Sequence, residues 1–303
     1  MASHSGASNT VHNRSVAASV KPAAGARVAL VTGAASGLGR AIALALMKDG
    51  FAVFGTSRRP EDRAGPREFP ILALDVRSDD SVRIALQEIR SSAGRLDVLV
   101  NNAGVRFLGA AEETSVDEAK AVFETNFFGA HRVTAAALPL LREAGGGRIV
   151  NITSLSGLNA LPFGSVYSAS KWALEAYSES LRHEVKQLGI YVSIVEPGAI
   201  HSETREAPQR PKDALHAYEG VRQRALDVIV AGDQAGIDPA RVADCVVHVV
   251  RARSPKLRYR VGADATWLPR LKLLPWSWYE SGIRWRYKLD AVQSRGPVHT
   301  SAR

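Results

Sequence analysis

Short, nearly continuous runs of apolar residues alternate along the chain with longer segments that have helical periodicity. The short runs are rich in β-branched and aromatic residues, and successive positions are apolar, which is typical of strands buried on both faces of a sheet. Between residues 27 and 198 these runs are RVALVTG, FAVFGTS, ILALDV, LDVLVNNAG, GRIVNITS and YVSIVEPG. We therefore predict a strand at each of these positions.

The longer segments carry apolar residues at spacings of three and four and end at or near a glycine, which commonly terminates a helix. They span residues 38–50, 78–94, 115–145 and 165–189. Strands that alternate with helices need crossover connections, and such connections produce parallel strands. The pattern predicts an α/β fold in which a single doubly wound parallel sheet carries helices on both faces.

The two ends of the chain differ from this alternating body. Residues 1–25 are rich in Ala, Ser, Gly and Asn and contain Arg14 and Lys21 but no acid, so we predict that they are disordered. Residues 251–303 contain 12 basic and 3 acidic residues and account for the whole formal charge of +9. The predicted organisation is a disordered tail (1–25), a folded body (26–262) and a basic C-terminal extension (263–303) that holds four of the five tryptophans.

Composition argues against several classes of protein. No apolar stretch approaches the roughly 20 residues that span a bilayer, and the neutral charge of residues 1–250 argues against a nucleic-acid-binding domain. Cys245 is the only cysteine and the eight histidines are scattered, so we predict neither a disulfide framework nor a metal site. A single cysteine also fits a reducing compartment, and we expect a cytoplasmic protein.

A glycine-rich segment joins the first predicted strand to the first predicted helix. Gly33, Gly37 and Gly39 follow that strand directly. Glycines at such a position let the chain turn tightly and let backbone N–H groups approach a pyrophosphate at the helix N-terminus. The segment indicates either a dinucleotide site in a Rossmann-type fold or a glycine-rich turn that binds nothing.

The end of the second predicted strand bears on the choice of dinucleotide. Folds that bind NAD usually place an acid there for the ribose 2′-hydroxyl, whereas an arginine accommodates the 2′-phosphate of NADP. Ser57 occupies roughly the position of the acid, and Arg58 and Arg59 follow it. We interpret this as a preference for NADP(H) over NAD(H); the alternative is a solvated pair of arginines in a turn.

The segment VYSASKWA (166–173) places Tyr167 and Lys171 four positions apart in a predicted helix. Residues i and i+4 are neighbours on a helix surface, so the phenol and the ammonium group can face the same space. Spacing alone is also satisfied by a solvated lysine beside a partly buried tyrosine.

Motifs in a fixed order make the chain similar to the short-chain dehydrogenase/reductase family over about residues 26–262. They are TGAASGLG (32–39), Asp75 in LDV, NNAG (101–104), Asn126 in ETNFFGA, Ser154 in NITSLSG, YSASK (167–171) and EPGAIHS (196–202). The sequence around YSASK looks closest to the branch that contains 17β-hydroxysteroid and retinol dehydrogenases. The resemblance implies that residues 26–262 form a catalytic domain that transfers a hydride, and that the chain forms a homo-oligomer.

The resemblance also implies a role for each residue of the site. Tyr167 would exchange a proton with the substrate oxygen, Lys171 would stabilise the phenolate and hold the nicotinamide ribose, and Ser154 would hydrogen-bond the substrate oxygen. Asn126 would anchor a water that links the lysine to solvent. Besides Tyr167 and Lys171, the implied cofactor-binding residues are Thr32, Gly33, Ser36, Gly37, Leu38, Gly39, Ser57, Arg58, Arg59, Asp75, Val76, Asn102, Ala103, Gly104, Pro197, Gly198, Ile200 and Ser202.

The substrate pocket is predicted from apolar residues near these motifs, with residues 199 to about 235 as a mobile flap. An apolar wall with few polar groups suits a bulky hydrophobic ketone, aldehyde or alcohol. The alternatives are a 3-oxoacyl thioester reductase and a non-catalytic NADP-sensing module. The predicted wall consists of Val105, Ser154, Leu155, Leu161, Phe163 and His201.

Two interpretations fit the C-terminal extension. Basic residues interleaved with Trp and Tyr suit a membrane surface, where aromatic rings sit at the headgroup level and cations meet anionic lipid. Alternatively, the aromatic residues pack on the body of the protein or on a neighbouring subunit, and the charged ends of Lys and Arg remain solvated. The sequence leaves both interpretations open.

Overall fold

A computed structural model of the chain describes residue 23 and residues 25–290, apart from 61–67 and 202–206. Almost all of the predicted disordered tail therefore lies outside the described residues. The strands are β1 (Val28–Val31), β2 (Ala52–Ser57), β3 (Ile71–Ala73), β4 (Val98–Asn101), β5 (Gly147–Ile152), β6 (Ile190–Pro197) and β7 (Arg258–Val261).

The strands form one parallel sheet in the order β3-β2-β1-β4-β5-β6-β7. Strand β1 pairs in parallel with β2 on one side and with β4 on the other, so the strand order reverses there. In such a sheet the carboxyl ends of the strands at the reversal open a crevice in which ligands bind. The predicted doubly wound parallel sheet is confirmed.

Helices cover both faces of the sheet. The helices are α1 (Gly37–Lys48), α2 (Asp79–Ala93), α3 (Val116–Phe123), α4 (Gly129–Glu143), α5 (Ser165–Val185), α6 (Glu219–Gln234), α7 (Pro239–Arg251), α8 (Ala263–Leu271) and α9 (Trp276–Arg286). One apolar cluster joins β-strand side chains to α2, α4 and α5, and a second joins them to α1 and α7 on the other face.

The structure differs from the sequence-based prediction at two places that matter for the site. Strand β7 was not predicted, because Arg258, Tyr259 and Arg260 do not form the continuous apolar run of a strand buried on both faces; β7 pairs only with β6. The single helix predicted over 115–145 contains a turn of π-helix at Glu124–Phe128, between α3 and α4. Such turns often occur at functional sites.

Helices α8 and α9 lie in the C-terminal extension and pack against the body. Tyr279 and Tyr287 of this segment are buried, the latter in a small apolar cluster with Leu108 and Leu226. Among the described residues, no helix combines the length and the apolar character needed to cross a bilayer.

Candidate active site

A cleft of about 880 Å³ lies where β1, β2, β4, β5 and β6 end. Thr32 is buried beneath it, and Ser202 is outside the described residues. The other predicted cofactor residues all line this cleft: Gly33, Ser36, Gly37, Leu38, Gly39, Ser57, Arg58, Arg59, Asp75, Val76, Asn102, Ala103, Gly104, Tyr167, Lys171, Pro197, Gly198 and Ile200.

The glycines of the turn occupy positions where a side chain would be strained or would clash. Gly33 and Gly37 have φ values of 66° and 51°, in the left-handed region that favours glycine. A Cβ atom on Gly39 would lie 2.2 Å from the carbonyl oxygen of Gly33. The turn therefore keeps its backbone accessible at the start of α1, as binding of a pyrophosphate requires.

Hydrogen bonds fasten this turn to the end of β4. The hydroxyl of Thr32 accepts from the backbone N–H groups of Asn102 and Ala103, both at 3.0 Å. The side-chain amide of Asn102 donates back to the carbonyl oxygen of Thr32 at 2.9 Å. The TG and NNAG motifs thus brace each other across the point where the strand order reverses.

Three arginines gather at the end of the cleft where β2 and β3 finish. Arg58 and Arg59 follow β2, and Arg77, which the sequence analysis missed, lines the same cleft. Arg77 binds the carboxylate of Asp75 (Nη2–Oδ2 2.6 Å), and this hydrogen bond lowers the pKa of Asp75. This end of the cleft therefore carries three guanidinium groups and one carboxylate, a set that can bind an anionic group of a ligand.

Tyr167 and Lys171 lie on the same side of α5, as their spacing predicts. Tyr167 is half-buried, whereas Lys171 is buried and its Nζ lies 6.0 Å from the centroid of the Tyr167 ring. Lys171 Nζ donates to the carbonyl oxygen of Ile152 at 3.0 Å, which ties it to the end of β5. Ser154 follows that strand and lines the cleft with them.

Asn126 lies in the π-helical turn and is buried. Its Oδ1 accepts from the N–H of Val105 at 2.7 Å, and its Nδ2 donates to the carbonyl oxygen of Val105 at 2.9 Å. Nδ2 also donates to Ser170 Oγ on α5 at 3.0 Å, and Ser170 Oγ in turn donates to the carbonyl oxygen of Tyr167 at 2.7 Å. Asn126 therefore braces the loop after β4 against the helix that carries Tyr167.

A buried ionic cluster lies behind the serine motif, and the sequence analysis did not find it. Glu175 accepts a hydrogen bond from Thr153 Oγ1 at 2.7 Å and contacts Arg258 Nε at 3.1 Å. Glu196 is also buried and binds Arg260 at 3.1 Å. Burial raises the pKa of Glu175 to about 7 and also raises the pKa of Glu196.

The predicted substrate residues separate into two groups. Ser154 and Val105 line the cleft. Leu161 and Phe163 instead pack on a small apolar cluster that α6 shares with Leu108, and Leu155 is buried. His201 is exposed, and its Nδ1 lies 3.1 Å from the carbonyl oxygen of Gln234.

Helix α6 occupies the C-terminal part of the segment, residues 199 to about 235, that was predicted as a mobile flap. Several residues that line the cleft were not among the predicted site residues; some lie beside a predicted residue within a motif, and the others lie outside the motifs. They are Ala35, Thr56, Leu74, Arg77, Arg106, Thr125, Ile152, Thr153, Ala207 and Gln209.

Comparison with known sequences finds a family and named relatives. The model of the short chain dehydrogenase family matches residues 27–213. A 3-ketodihydrosphingosine reductase of Bacteroides thetaiotaomicron is 35% identical over 257 residues, which cover 80% of this chain and 93% of the relative. Retinol dehydrogenase 8 of Bos taurus is 35% identical over 270 residues, which cover 82% of this chain and 85% of the relative.

Solved structures with a similar fold are also known. A short-chain dehydrogenase from Streptomyces avermitilis has a TM-score of 0.76 and 36% identity, covering 89% of this chain and 98% of that one. A metagenomic short-chain oxidoreductase in complex with NADP has a TM-score of 0.60 and 29% identity, covering 78% of this chain and 96% of that one.

Proposed function

Because the chain belongs to the short-chain dehydrogenase family, we propose that it is an NADP(H)-dependent oxidoreductase that interconverts a hydrophobic ketone or aldehyde and its alcohol. The observation that carries this proposal is the meeting of Ser154, Tyr167 and Lys171 in the cleft that also holds the glycine-rich turn. A non-catalytic binding module needs the turn and can use Lys171 to hold the ribose, but it has no use for Ser154 and Tyr167 as groups that orient a substrate oxygen and exchange a proton with it.

The residues around the cleft fit an NADP(H) molecule. The glycine-rich turn would hold the pyrophosphate, and Arg58, Arg59 and Arg77 would meet the 2′-phosphate. Lys171 would hold the nicotinamide ribose, as in the family that the chain belongs to. NADP(H), when bound, supplies or takes up the hydride.

The protein's own groups handle the proton and the orientation of the substrate. Ser154 would hydrogen-bond the substrate oxygen, and Tyr167 would give that oxygen a proton in reduction or remove one in oxidation. The ammonium group of Lys171, on the same side of α5, favours the ionised phenol in the second case. Asn126 would keep the Tyr167 helix in place through Ser170 and anchor the water that links Lys171 to solvent.

The names of two relatives support the substrate class. Retinol and 3-ketodihydrosphingosine both carry a long hydrocarbon portion, and the relatives named for them are each 35% identical to this chain. Such a substrate needs an apolar wall with few polar groups. The Leu161 and Phe163 cluster with α6 would supply that wall if the α6 segment moves when the substrate enters.

The proposal also covers the oligomeric state, the partners and the cellular compartment of the enzyme. We expect a homo-oligomer, no nucleic-acid partner and a reducing, cytoplasmic compartment. Cys245, the single cysteine, supports the last point. Analytical ultracentrifugation of the full chain tests the oligomer.

The main experiment measures NADPH oxidation over a panel of carbonyl compounds. The panel contains retinaldehyde, a steroid ketone, 3-ketodihydrosphingosine, a 3-oxoacyl thioester and a small polar ketone, each run in parallel with NADH. The test variant is Tyr167→Phe, and Tyr177→Phe on the same helix is the matched control. Tyr167→Phe should lower kcat by at least about 100-fold while the variant still binds NADPH, and Tyr177→Phe should keep its turnover.

Other results of this experiment would indicate a different function, substrate class or cofactor. Turnover of the thioester alone indicates the acyl-thioester reductase, and turnover of only the small polar ketone contradicts the hydrophobic substrate class. Tight NADPH binding without turnover of any compound indicates a sensor. Equal or faster turnover with NADH contradicts the cofactor preference.

A further inference from the structure

The described part of the C-terminal extension, residues 263–290, is held against the body by specific contacts. Asn159 Nδ2 donates to the hydroxyl of Tyr279 at 3.0 Å and to the carbonyl oxygen of Leu268 at 3.3 Å. Lys272 Nζ donates to the carbonyl oxygen of Leu158, and Tyr287 is buried in the cluster with α6. The two helices of the extension therefore have a fixed orientation relative to the sheet.

The tryptophans of the extension point away from the body. Trp267, Trp276, Trp278 and Trp285 are 62%, 67%, 69% and 81% exposed, and Leu273 is 88% exposed. The tyrosines, and not the tryptophans, make the packing contacts. In the part of the chain that the structure describes, packing on the protein's own body therefore does not account for these side chains.

These exposed side chains lie in one continuous segment of the chain, on α8, on α9 and in the turn between them, with Trp276 at the first position of α9 beside that turn. On α8, Trp267 and Leu271 are four residues apart and face the same way. On α9, Trp278 and Trp285 are seven residues apart and again share a face. We call the set the aromatic face: Trp267, Leu271, Leu273, Leu274, Trp276, Trp278 and Trp285.

A cation lies beside one ring of the aromatic face, and another lies beside Trp172 on α5. The guanidinium of Arg270 lies 4.5 Å from the ring centroid of Trp267, and Lys272 Nζ lies 4.5 Å from that of Trp172 on α5. Arg284, which forms an ion pair with Asp290, and Arg286 follow on α9. Exposed apolar side chains of this number usually mark a binding surface, and mixed Trp and basic residues suit the headgroup region of a bilayer.

We propose that the aromatic face binds the surface of a membrane that contains anionic lipid. Trp and Leu side chains would enter the region between headgroups and acyl chains, and Arg270 and Arg286 would meet lipid phosphates. A two-fold contact between two copies of the chain is less suitable, because it would bring the same cations against each other. The aromatic face thus gives the protein a peripheral membrane site separate from the cleft.

The test is co-sedimentation of the full chain with lipid vesicles, which does not depend on turnover or on the proposed function. One vesicle contains 70% phosphatidylcholine and 30% phosphatidylserine, and the other contains phosphatidylcholine alone. The first variant replaces Trp276, Trp278 and Trp285 by Ser, and the second combines Arg270→Gln with Arg286→Gln. Ile84→Ser is the matched control, because Ile84 is 55% exposed on α2, at the opposite edge of the sheet.

We expect the unchanged chain to bind the anionic vesicle. The tryptophan variant should bind it at least about tenfold more weakly, because most of the apolar contact is lost. Each arginine near an anionic surface contributes about 1 kcal/mol, so the double arginine variant should bind about 25-fold more weakly. Ile84→Ser should bind like the unchanged chain. Added NaCl should weaken binding of the unchanged chain.

Several results would overturn the proposal. One is a failure of the full chain to sediment with anionic vesicles, and another is equal binding to both kinds of vesicle. Unchanged binding of the tryptophan variant, with its fold confirmed by circular dichroism, also contradicts it. If the full chain binds no vesicle and the tryptophan variant forms a smaller particle in solution, the aromatic face joins copies of the chain instead.

Discussion

Glu175→Gln tests how a buried carboxyl group next to the serine motif affects the stability of the fold at different pH values. Glu175 is 5% exposed, and burial, with a further contribution from the nearby Glu196, raises its pKa from 4.5 to about 7. Thr153 and Arg258 hydrogen-bond the carboxylate and oppose this increase. A glutamine keeps the size of the side chain and the acceptor for Thr153, but it does not titrate.

The sign of the effect follows from proton binding. Between pH 4.5 and about 7 the unfolded chain holds fewer protons at Glu175 than the folded chain, so the free energy of unfolding falls as pH rises. The stabilisation that protonated Glu175 gives the folded chain is fully present below pH 4.5 and fully lost above pH 7. The difference between the two pKa values corresponds to about 3 kcal/mol at ~1.36 kcal/mol per pKa unit.

The assay is urea unfolding at a series of pH values from 5 to 8. Across this range the unchanged chain should lose about 2 to 3 kcal/mol relative to Glu175→Gln. Glu179→Gln is the matched control, because it removes the same charge from the same helix and from the same Arg258, which lowers the pKa of the exposed Glu179. Parallel stability profiles for the unchanged chain and Glu175→Gln would refute the reasoning.

Three further predictions concern the cleft. Gly39→Ala places a Cβ atom 2.2 Å from the Gly33 carbonyl oxygen, so the turn must shift, and fluorescence titration should show NADPH affinity at least about tenfold weaker; unchanged affinity would contradict a role of this turn. Ser57→Asp adds an acceptor for a ribose 2′-hydroxyl and repels a 2′-phosphate, so the ratio of kcat/KM for NADPH to that for NADH should fall at least about tenfold; a constant ratio would contradict the preference for NADP(H). Asn126→Ala leaves the N–H and carbonyl groups of Val105 without their side-chain partner, and chemical denaturation should show a loss of about 2 kcal/mol or more; a neutral effect would show that water replaces the amide.

The sheet could be predicted because its central strands are buried on both faces, and short continuous apolar runs bounded by turn residues are typical of such strands. Strand β7 was not predicted because Arg258 and Arg260 interrupt the apolar run that is typical of a buried strand. Their positions become understandable only in three dimensions, where Arg258 contacts Glu175 of α5 and Arg260 contacts Glu196 of β6. A sequence without aligned relatives contains no signal for these pairs.

For a related reason, some residues of the site could be predicted from the sequence and others could not. Its backbone turns and its tyrosine helix have motifs with fixed spacing, so their residues could be located in one chain. Arg77 and the π-helical turn around Asn126 could not be found in that way, since the apolar period of the helix continues through the turn. The predicted wall residues Leu161 and Phe163 were placed by proximity in sequence to Tyr167, but their side chains pack toward α6.

The C-terminal extension and the cleft are physically joined, and this affects how either can be tested. Asp264, at the start of α8, accepts a hydrogen bond from the N–H of Ala199 at 2.8 Å, directly after the Pro197 and Gly198 that line the cleft. The contact is so close that a Cβ atom on Gly198 would lie 1.8 Å from Asp264 Oδ1. Truncation after residue 262 would therefore release the wall of the cleft as well as remove the aromatic face, and lost activity would say nothing about lipid. Surface variants that keep Asp264 and the buried tyrosines separate the two effects, because they change only side chains that the body does not contact.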